Sequence, residues 1–581
     1  MHLKQALVFL NRFLFSTLLV LVCSCNETKK NKRIRVWELS DPEMMQPIIT
    51  TDQNAYNILL NVFQPLLGTD YKTLELVPVL AEKRPEIEKT KEGGMIITFR
   101  IRKEARWDNG SPVSAKDVEF TVKAMLNPGV NNPGLKSTID FISDIRLYPD
   151  DPQKVSFVCN TVYFLSESAC GSLLILPQYQ YDPKGLMNSF TVPQLIREGN
   201  TLHTDARIQE FASDMNSEKR MRDKRFISGS GAYQLVEWKS SQYLLLKKKA
   251  DFWGQVCSGQ NCYFDNLPAE IEYKTIGDLS AAAAAFKAGN LDVIYAIRPK
   301  DFMALRENTS SPSRLSLQTP PMLACYYIGM NNRSKILGSR KTRQAMACLA
   351  DVNKMIQTVY YGLALPLSGP VPPSDKADYD STLPAHAFSL EKAKALLADD
   401  GWKDTDGDGI LDKVIDGEKI SFRIRFTVSA ENELRKSIAL LFQEDARKAG
   451  IEVTLDGQEW NSFMGNLKKH RVELFINALT LSPLGDDMKQ IWHSSAASGE
   501  GDNYVNFCNP AADSLIDAIR VELDGGKRAL LYKKFQQIIY RECPCIFLFA
   551  PSERIAIASD IINPSSSVLS PGFWTAGFQK N

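Results

Sequence analysis

The sequence predicts a mixed α/β protein of several domains, and three observations lead there. Phe422, Ile424, Phe426 and Val428 alternate as a strand, followed by the amphipathic helix of Leu434, Ile438, Leu441 and Phe442. Gly450 ends that helix, and Ile451, Val453 and Leu455 alternate as the next strand. Strand, helix and strand at this spacing read as a βαβ unit with a right-handed crossover. Second, strand-like and helix-like stretches alternate along the chain with no low-complexity linker and no repeat. Third, 581 residues exceed one core, and about 150 residues per domain gives three or four domains.

In chain order, Lys4 and Arg12 precede the apolar run Phe13 to Val22, which leads into Val22-Cys23-Ser24-Cys25 and then the polar Asn26 to Lys30. A positive start, a short apolar stretch and small residues before the cut are the parts of an export signal. The run is too short for a ~30 Å hydrocarbon span. The stretch resembles a bacterial lipobox, with Val22 where Leu is commoner, which implies cleavage after residue 24 and diacylglycerol on Cys25. Residues 25–32 read as a tether.

Ile97, Phe99 and Ile101 alternate with polar residues as a half-buried strand, and Asp108-Asn109-Gly110 is a turn. Ser114 caps a helix with Asp117 three residues on, and Val118, Val122, Met125 and Leu126 form its apolar face. Gly229-Ser230-Gly231 leads into a strand from Tyr233 to Trp238. Ser280 to Ala288 is an alanine-rich helix stopped by Gly289. Ser389 to Asp400 is a further helix, followed by an acidic turn.

That turn copies most of a calcium loop. Asp404, Asp406, Asp408 and Asp412 take positions 1, 3, 5 and 9, and Gly409 takes the turn position. Ile415 stands where a bidentate Glu closes the shell, so the metal reading is weak and an acidic turn is the simpler one. Of eleven cysteines, removal of Cys23 and acylation of Cys25 leave an odd number. Cys257 and Cys262 flank a turn-forming segment and are the candidate disulfide outside the cytoplasm. Cys543 and Cys545 are expected on one face of a strand, both buried.

Composition excludes several functions. With 69 basic and 68 acidic residues the net charge is +1, which gives nucleic acid no reason to bind. No later apolar run is long enough to span a membrane. There is no phosphate-binding Gly-x-x-x-x-Gly-Lys loop, no Gly-x-Gly-x-x-Gly and no Gly-x-Ser-x-Gly elbow. The histidines are scattered without zinc-ligand spacing. Paired carboxylates for glycoside hydrolysis stay open, because their separation is spatial. No enzyme activity and no cofactor are expected.

Several phrases in order resemble one family, the extracytoplasmic solute-binding proteins of peptide-type ABC importers (family 5). Asn57 to Leu67 looks like its first helix ending in "F-E-P-L"; Phe99-Arg-Ile-Arg102 and Trp107-Asp-Asn-Gly110 match "F-x-L-R … F-x-D-G", and Ser114 to Asp117 continues it. Gly229 to Trp238 resembles "G-T-G-P-Y-x-L-x-x-W", Asp251 to Gly254 matches "x-Y-W-G", and Lys287 to Asp292, Arg343 to Ala345, Asp351 to Lys354 and Gly401 to Gly409 follow. The resemblance runs through nearly the whole mature chain. It implies the type II periplasmic-binding fold, with two hinged mixed α/β lobes and an inserted third domain. Domain I would comprise 33–75, 177–318 and 546–581, domain II 76–176 and domain III 319–545.

The function so implied is a lipid-anchored receptor, in the periplasm or at the cell surface. It would capture a peptide or peptide-like solute in the cleft, as a monomer, for a permease with its own ATPase subunits. The same fold binding a nickel complex or oligosaccharide, or sensing a peptide, is the nearest rival; a surface hydrolase is another. In peptide binders of this group an Asp shortly after a Trp holds the peptide's amine. The matching positions here are Leu479 and Ser482, with Asp486 at a later Asp; a one-step gap would return Asp486 to that role. Position in the family adds Thr51, Tyr326, Tyr327, Trp460 and Trp492 as candidate ligand contacts.

Overall fold

The computed structural model describes residues 33–307, 315–498, 501–562 and 564–581. The signal, the tether and Cys25 lie outside the described residues. Two large sheets organise the chain. The first has seven strands, in the order Leu315–Gln318, Ile555–Ala558, Val293–Ile294, Arg33–Glu38, Glu270–Thr275, Tyr243–Lys248 and Tyr233–Lys239. The second has six, in the order Ala364–Pro366, Cys545–Pro551, Ala324–Met330, Leu474–Thr480, Arg423–Ser429 and Glu452–Gln458. A four-stranded antiparallel sheet, Glu86–Lys89, Met95–Arg100, Lys154–Cys159 and Ile142–Leu147, attaches to the first.

The expected βαβ unit is present. Arg423–Ser429 and Glu452–Gln458 run parallel and in register from Arg423 with Glu452 to Ser429 with Gln458, and the helix Glu433–Lys448 crosses between them. The capped helix is Ala115–Leu126; the Asp117 carboxylate accepts the Ser114 N–H at 2.9 Å and its hydroxyl at 3.0 Å. These bonds satisfy donors that a helix start leaves free.

Apolar cores follow the sheets. One continuous core joins the seven-stranded and four-stranded sheets, from Ile34 and Val36 through Phe99 and Phe157 to Leu246. These two sheets therefore form one lobe. The six-stranded sheet is covered on both faces and forms the other lobe. Ile438, Phe442 and Phe426 lie in the core on one face, and Phe463, Phe475 and Phe535 in the core on the other. Its strand Cys545–Pro551 is buried throughout, as a strand covered on both faces must be.

Two chain segments join the lobes, 319–323 and 552–554. They are tied to each other: the Glu553 N–H donates to the Pro320 carbonyl at 2.7 Å, the Met322 N–H to that of Pro551 at 2.8 Å, and Pro321 bridges Ser552. No helix among the described residues is long and apolar enough to cross a membrane.

Three expectations need correction. The first helix is Gln53–Leu59, capped by Asp52, rather than a helix reaching Leu67; Pro65 has no N–H to give and bridges Leu174 instead. Cys257 and Cys262 are free thiols. The Cys257 sulfur accepts from Arg102 at 3.6 Å, whereas the Cys262 thiol faces Asp70, so the turn sends them to different neighbours. Cys543 ends a helix in left-handed geometry and joins one core of the second lobe, while Cys545 opens the strand and joins the other.

Candidate functional site

Each lobe has a place where its parallel strands reverse direction of winding. In the second lobe, the helix Glu433–Lys448 after Arg423–Ser429 buries Ile438 and Phe442 on one face of the sheet. The helix Trp460–Lys468 after Glu452–Gln458 buries Phe463 and Leu467 on the other. The next strand, Leu474–Thr480, then pairs with Arg423–Ser429 from its opposite side. Between those two strands the crossovers part, and a crevice opens outside their carboxyl ends, where α/β sheets bind ligands. The first lobe repeats this. Glu270–Thr275, Arg33–Glu38 and Val293–Ile294 are parallel, with Glu38 at the carboxyl end of the middle strand.

A cavity of about 450 Å³ lies between the lobes, where the strand ends meet. Tyr56, Asn57 and Tyr71 line it from the first lobe, and Thr480, Leu481 and Pro483 from the second. The size suits a small organic solute, since such pockets run from about 300 to 1,000 Å³.

Three ionisable groups stand near the two crevices. Burial pushes the Glu38 carboxyl up to about 8, against a hydrogen bond from the Tyr295 hydroxyl at 2.6 Å that favours the ionised form. Glu38 borders a chamber of about 20 Å³, room for one water-sized group, whose walls include Asn57 and Tyr71 of the larger cavity. Asn57 Nδ2 and Asn61 Oδ1, both buried, have no partner there. Burial likewise pushes Asp486 up to about 7, although its carboxylate accepts the Ser482 N–H at 3.0 Å. Arg435 is 8% exposed, and its guanidinium carbon lies 5.6 Å from the Tyr326 ring centre and 5.8 Å from that of Trp460. Its Nε has no partner, leaving a donor for an acceptor from outside the chain.

The residues expected from sequence separate into groups. Tyr326 is half-buried and stacks on Phe549 at 5.7 Å, and Trp460 is 43% exposed; Arg435 joins the two. Ser482 and Asp486 are linked by the backbone hydrogen bond just described, one residue beyond the cavity-lining Leu481. Thr51 is exposed and precedes the helix that carries Asn57. Tyr327 and Trp492 are core side chains: Tyr327 packs on Phe475 at 6.0 Å, and Trp492 on Phe507 and Phe547. Leu479 is buried in that same core. Arg435, Glu38 and Asn57 were not legible as site residues. Arg435 carries a signal in retrospect: it sits three and seven residues before Ile438 and Phe442, on the buried stripe of its helix.

The acidic loop brings Asp404, Asp406 and Asp412 together, with one carboxylate oxygen of each within 4.8 Å of the others. The loop is already neutralised from within. Lys419 Nζ lies 2.7 Å from Asp406 and 3.3 Å from Asp412, Arg423 pairs with Asp408 at 3.0 Å, and Asp404 accepts the Gly407 and Gly409 N–H groups.

Comparison with known proteins gives one answer. The family model of bacterial extracellular solute-binding proteins, family 5 (middle), matches residues 75–502. The oligopeptide-binding protein AppA of Bacillus subtilis is 26% identical over 547 residues, covering 93% of this chain and 90% of the relative. The structure of AppA from Bacillus subtilis in complex with a nonapeptide superposes with a TM-score of 0.69 at 24% identity, over 94% of this chain and 99% of that one. NikA from Brucella suis in complex with Fe(III)-EDTA superposes with a TM-score of 0.74 at 18% identity, over 94% and 100%. Both superpositions are likenesses of fold.

Proposed function

The chain belongs to the bacterial extracellular solute-binding proteins of family 5, and on that premise we propose that it captures a peptide or peptide-like solute between its lobes. The solute is handed to an ABC permease, and the protein is held at the membrane by a diacylglycerol on Cys25. Members of this family bind and release; the chain is a transport component rather than an enzyme.

The observation that carries the peptide reading is the cavity of about 450 Å³ between the lobes, with Asp486 three residues past its Pro483 wall and Arg435 beside Tyr326, two residues past its Ala324 wall. Burial pushes up the half-buried Asp486 carboxyl, and Arg435 is a buried cation whose Nε has no partner. An ammonium against the first and a carboxylate against the second would neutralise both, since charge-assisted bonds offset desolvation. A peptide carries both groups. Closure follows because a solute touching both lobes favours the closed form by its differential affinity. Support for the anchor is the signal ending at Cys25.

Native mass spectrometry of the protein purified without added ligand tests the reading. A retained peptide, displaced on acidification, is the expected result. A retained sugar or metal chelate, with no affinity for any peptide by calorimetry, would sink it. Intact mass of the membrane-extracted protein checks the acyl group on Cys25.

A further inference from the structure

Tyr163 and Phe164 are neighbours in the chain whose rings belong to different lobes. Tyr163 packs against the first lobe's core, 5.6 Å from Phe141. Phe164 packs against a core of the second lobe, edge-on to Tyr532 at 6.5 Å with the Arg528 guanidinium 4.9 Å from its ring. The Phe164 N–H donates to the Arg520 carbonyl at 2.9 Å. The Tyr163 hydroxyl donates to Asp487 Oδ2 at 3.2 Å, and Arg520 Nε donates to the same oxygen at 2.9 Å. The Arg520 guanidinium also lies 5.2 Å from the Tyr163 ring. In return, Leu523 of the second lobe packs against the first lobe's core. Gly485, in the left-handed region at φ +94°, leaves the space for Phe164; a Cβ there would sit 3.3 Å from the ring.

This strap and the joining segments flank the same cavity. Pro321 and Glu553 of the joining segments line it. So do Pro483, two residues from Gly485, and Ser172, which follows the short helix Ser166–Gly171 directly after the strap. The lobes are thus fastened on two sides of the solute. Nine extended residues span about 30 Å, whereas a rounded space of the cavity's ~450 Å³ is only about 10 Å across.

We infer that the Tyr163–Phe164 strap sets an upper limit on solute size, so that the cavity admits di- and tripeptide-sized molecules and refuses longer peptides. This rests on the peptide reading above. It assigns Tyr163, Phe164, Arg520 and Asp487 to specificity through closure rather than to solute contact.

Two readouts test it. Nitroxides on cysteines introduced at the exposed Ser137 and Lys527, in a Cys508→Ser background, report the distance between the lobes. Native mass spectrometry against an equimolar mixture of di-, tri-, penta- and nonapeptides reports length preference. The variants are Phe164→Ala and the gentler Tyr163→Phe, which removes only the hydroxyl. We expect the wild type to retain only di- and tripeptides, both variants to lengthen the label distance, and Phe164→Ala to gain at least tenfold for the nonapeptide over the tripeptide. A wild type that binds the nonapeptide as well as the tripeptide overturns the inference. So do variants whose label distance and length preference match the wild type. If no peptide of any length binds, the peptide reading falls, and the label distance alone decides whether the strap governs closure.

Discussion

The Asp486 carboxylate accepts the backbone N–H of Ser482 at 3.0 Å. The resemblance to peptide binders leads one to expect an amine-holding Asp at Ser482, with Asp486 four residues later. The turn through Pro483, Leu484 and Gly485 folds that carboxylate back onto Ser482.

Asp486 and Glu38 should both make stability fall as pH rises. Each has a folded pKa above its ordinary value, about 7 against 3.8 and about 8 against 4.5, so the folded state holds protons that the unfolded state has lost. Relative to Asp486→Asn, the wild type should lose stability between about pH 4 and 7 and level off above. Relative to Glu38→Gln, the window is about pH 4.5 to 8. Each gap should reach a few kcal/mol at most. Urea unfolding of wild type and variants from pH 4 to 9 measures it; parallel curves would show that neither group is desolvated as described.

Arg435→Met should weaken retention of the wild type's own solute by at least tenfold, while the melting temperature moves by only a few degrees. Arg435→Lys should restore little, because a planar donor lying between two rings is not replaced by an ammonium. Calorimetry with the retained peptide reads both. Wild-type affinity in Arg435→Met would remove Arg435 from the site.

Gly231→Ala should destabilise by roughly 1–3 kcal/mol without changing solute preference. A Cβ at Gly231 would lie 2.5 Å from the Asn61 carbonyl oxygen, and the Gly231 N–H donates to Val62 at 2.8 Å. Thermal unfolding checks this, and a neutral result would mean that the 61–62 turn yields freely.

Millimolar calcium should leave the wild-type melting temperature within about 1 °C, since Lys419 already neutralises Asp406 and Asp412. Lys419→Met should make the loop responsive, because like charges then need a cation. A calcium-induced rise in the wild type would mean that the ion displaces the ammonium.

Much of the fold was legible because periodicity reports burial. The strand, helix and strand around 422–455 came from apolar spacing alone, and Asp117 marked its helix start. The site was less legible for the same reason. Tyr326 and Tyr327 are adjacent in a strand, so period-two alternation sends one toward Arg435 and the other into the opposite core. Sequence shows that they part, but not which of them meets Arg435. Trp492, a candidate ligand contact from sequence, is a core residue. Glu38 is one acid ending an apolar strand, and its importance depends on Tyr295 and Asn57, which are remote in sequence.

The shared core beneath the seven- and four-stranded sheets has a mechanical consequence. A sheet that shares one continuous apolar core with its neighbour is expected to move with it, so the two lobes are the units that shift. A membrane partner would therefore sense occupancy as one relative angle between two rigid outlines, a signal that needs no knowledge of the cargo's chemistry.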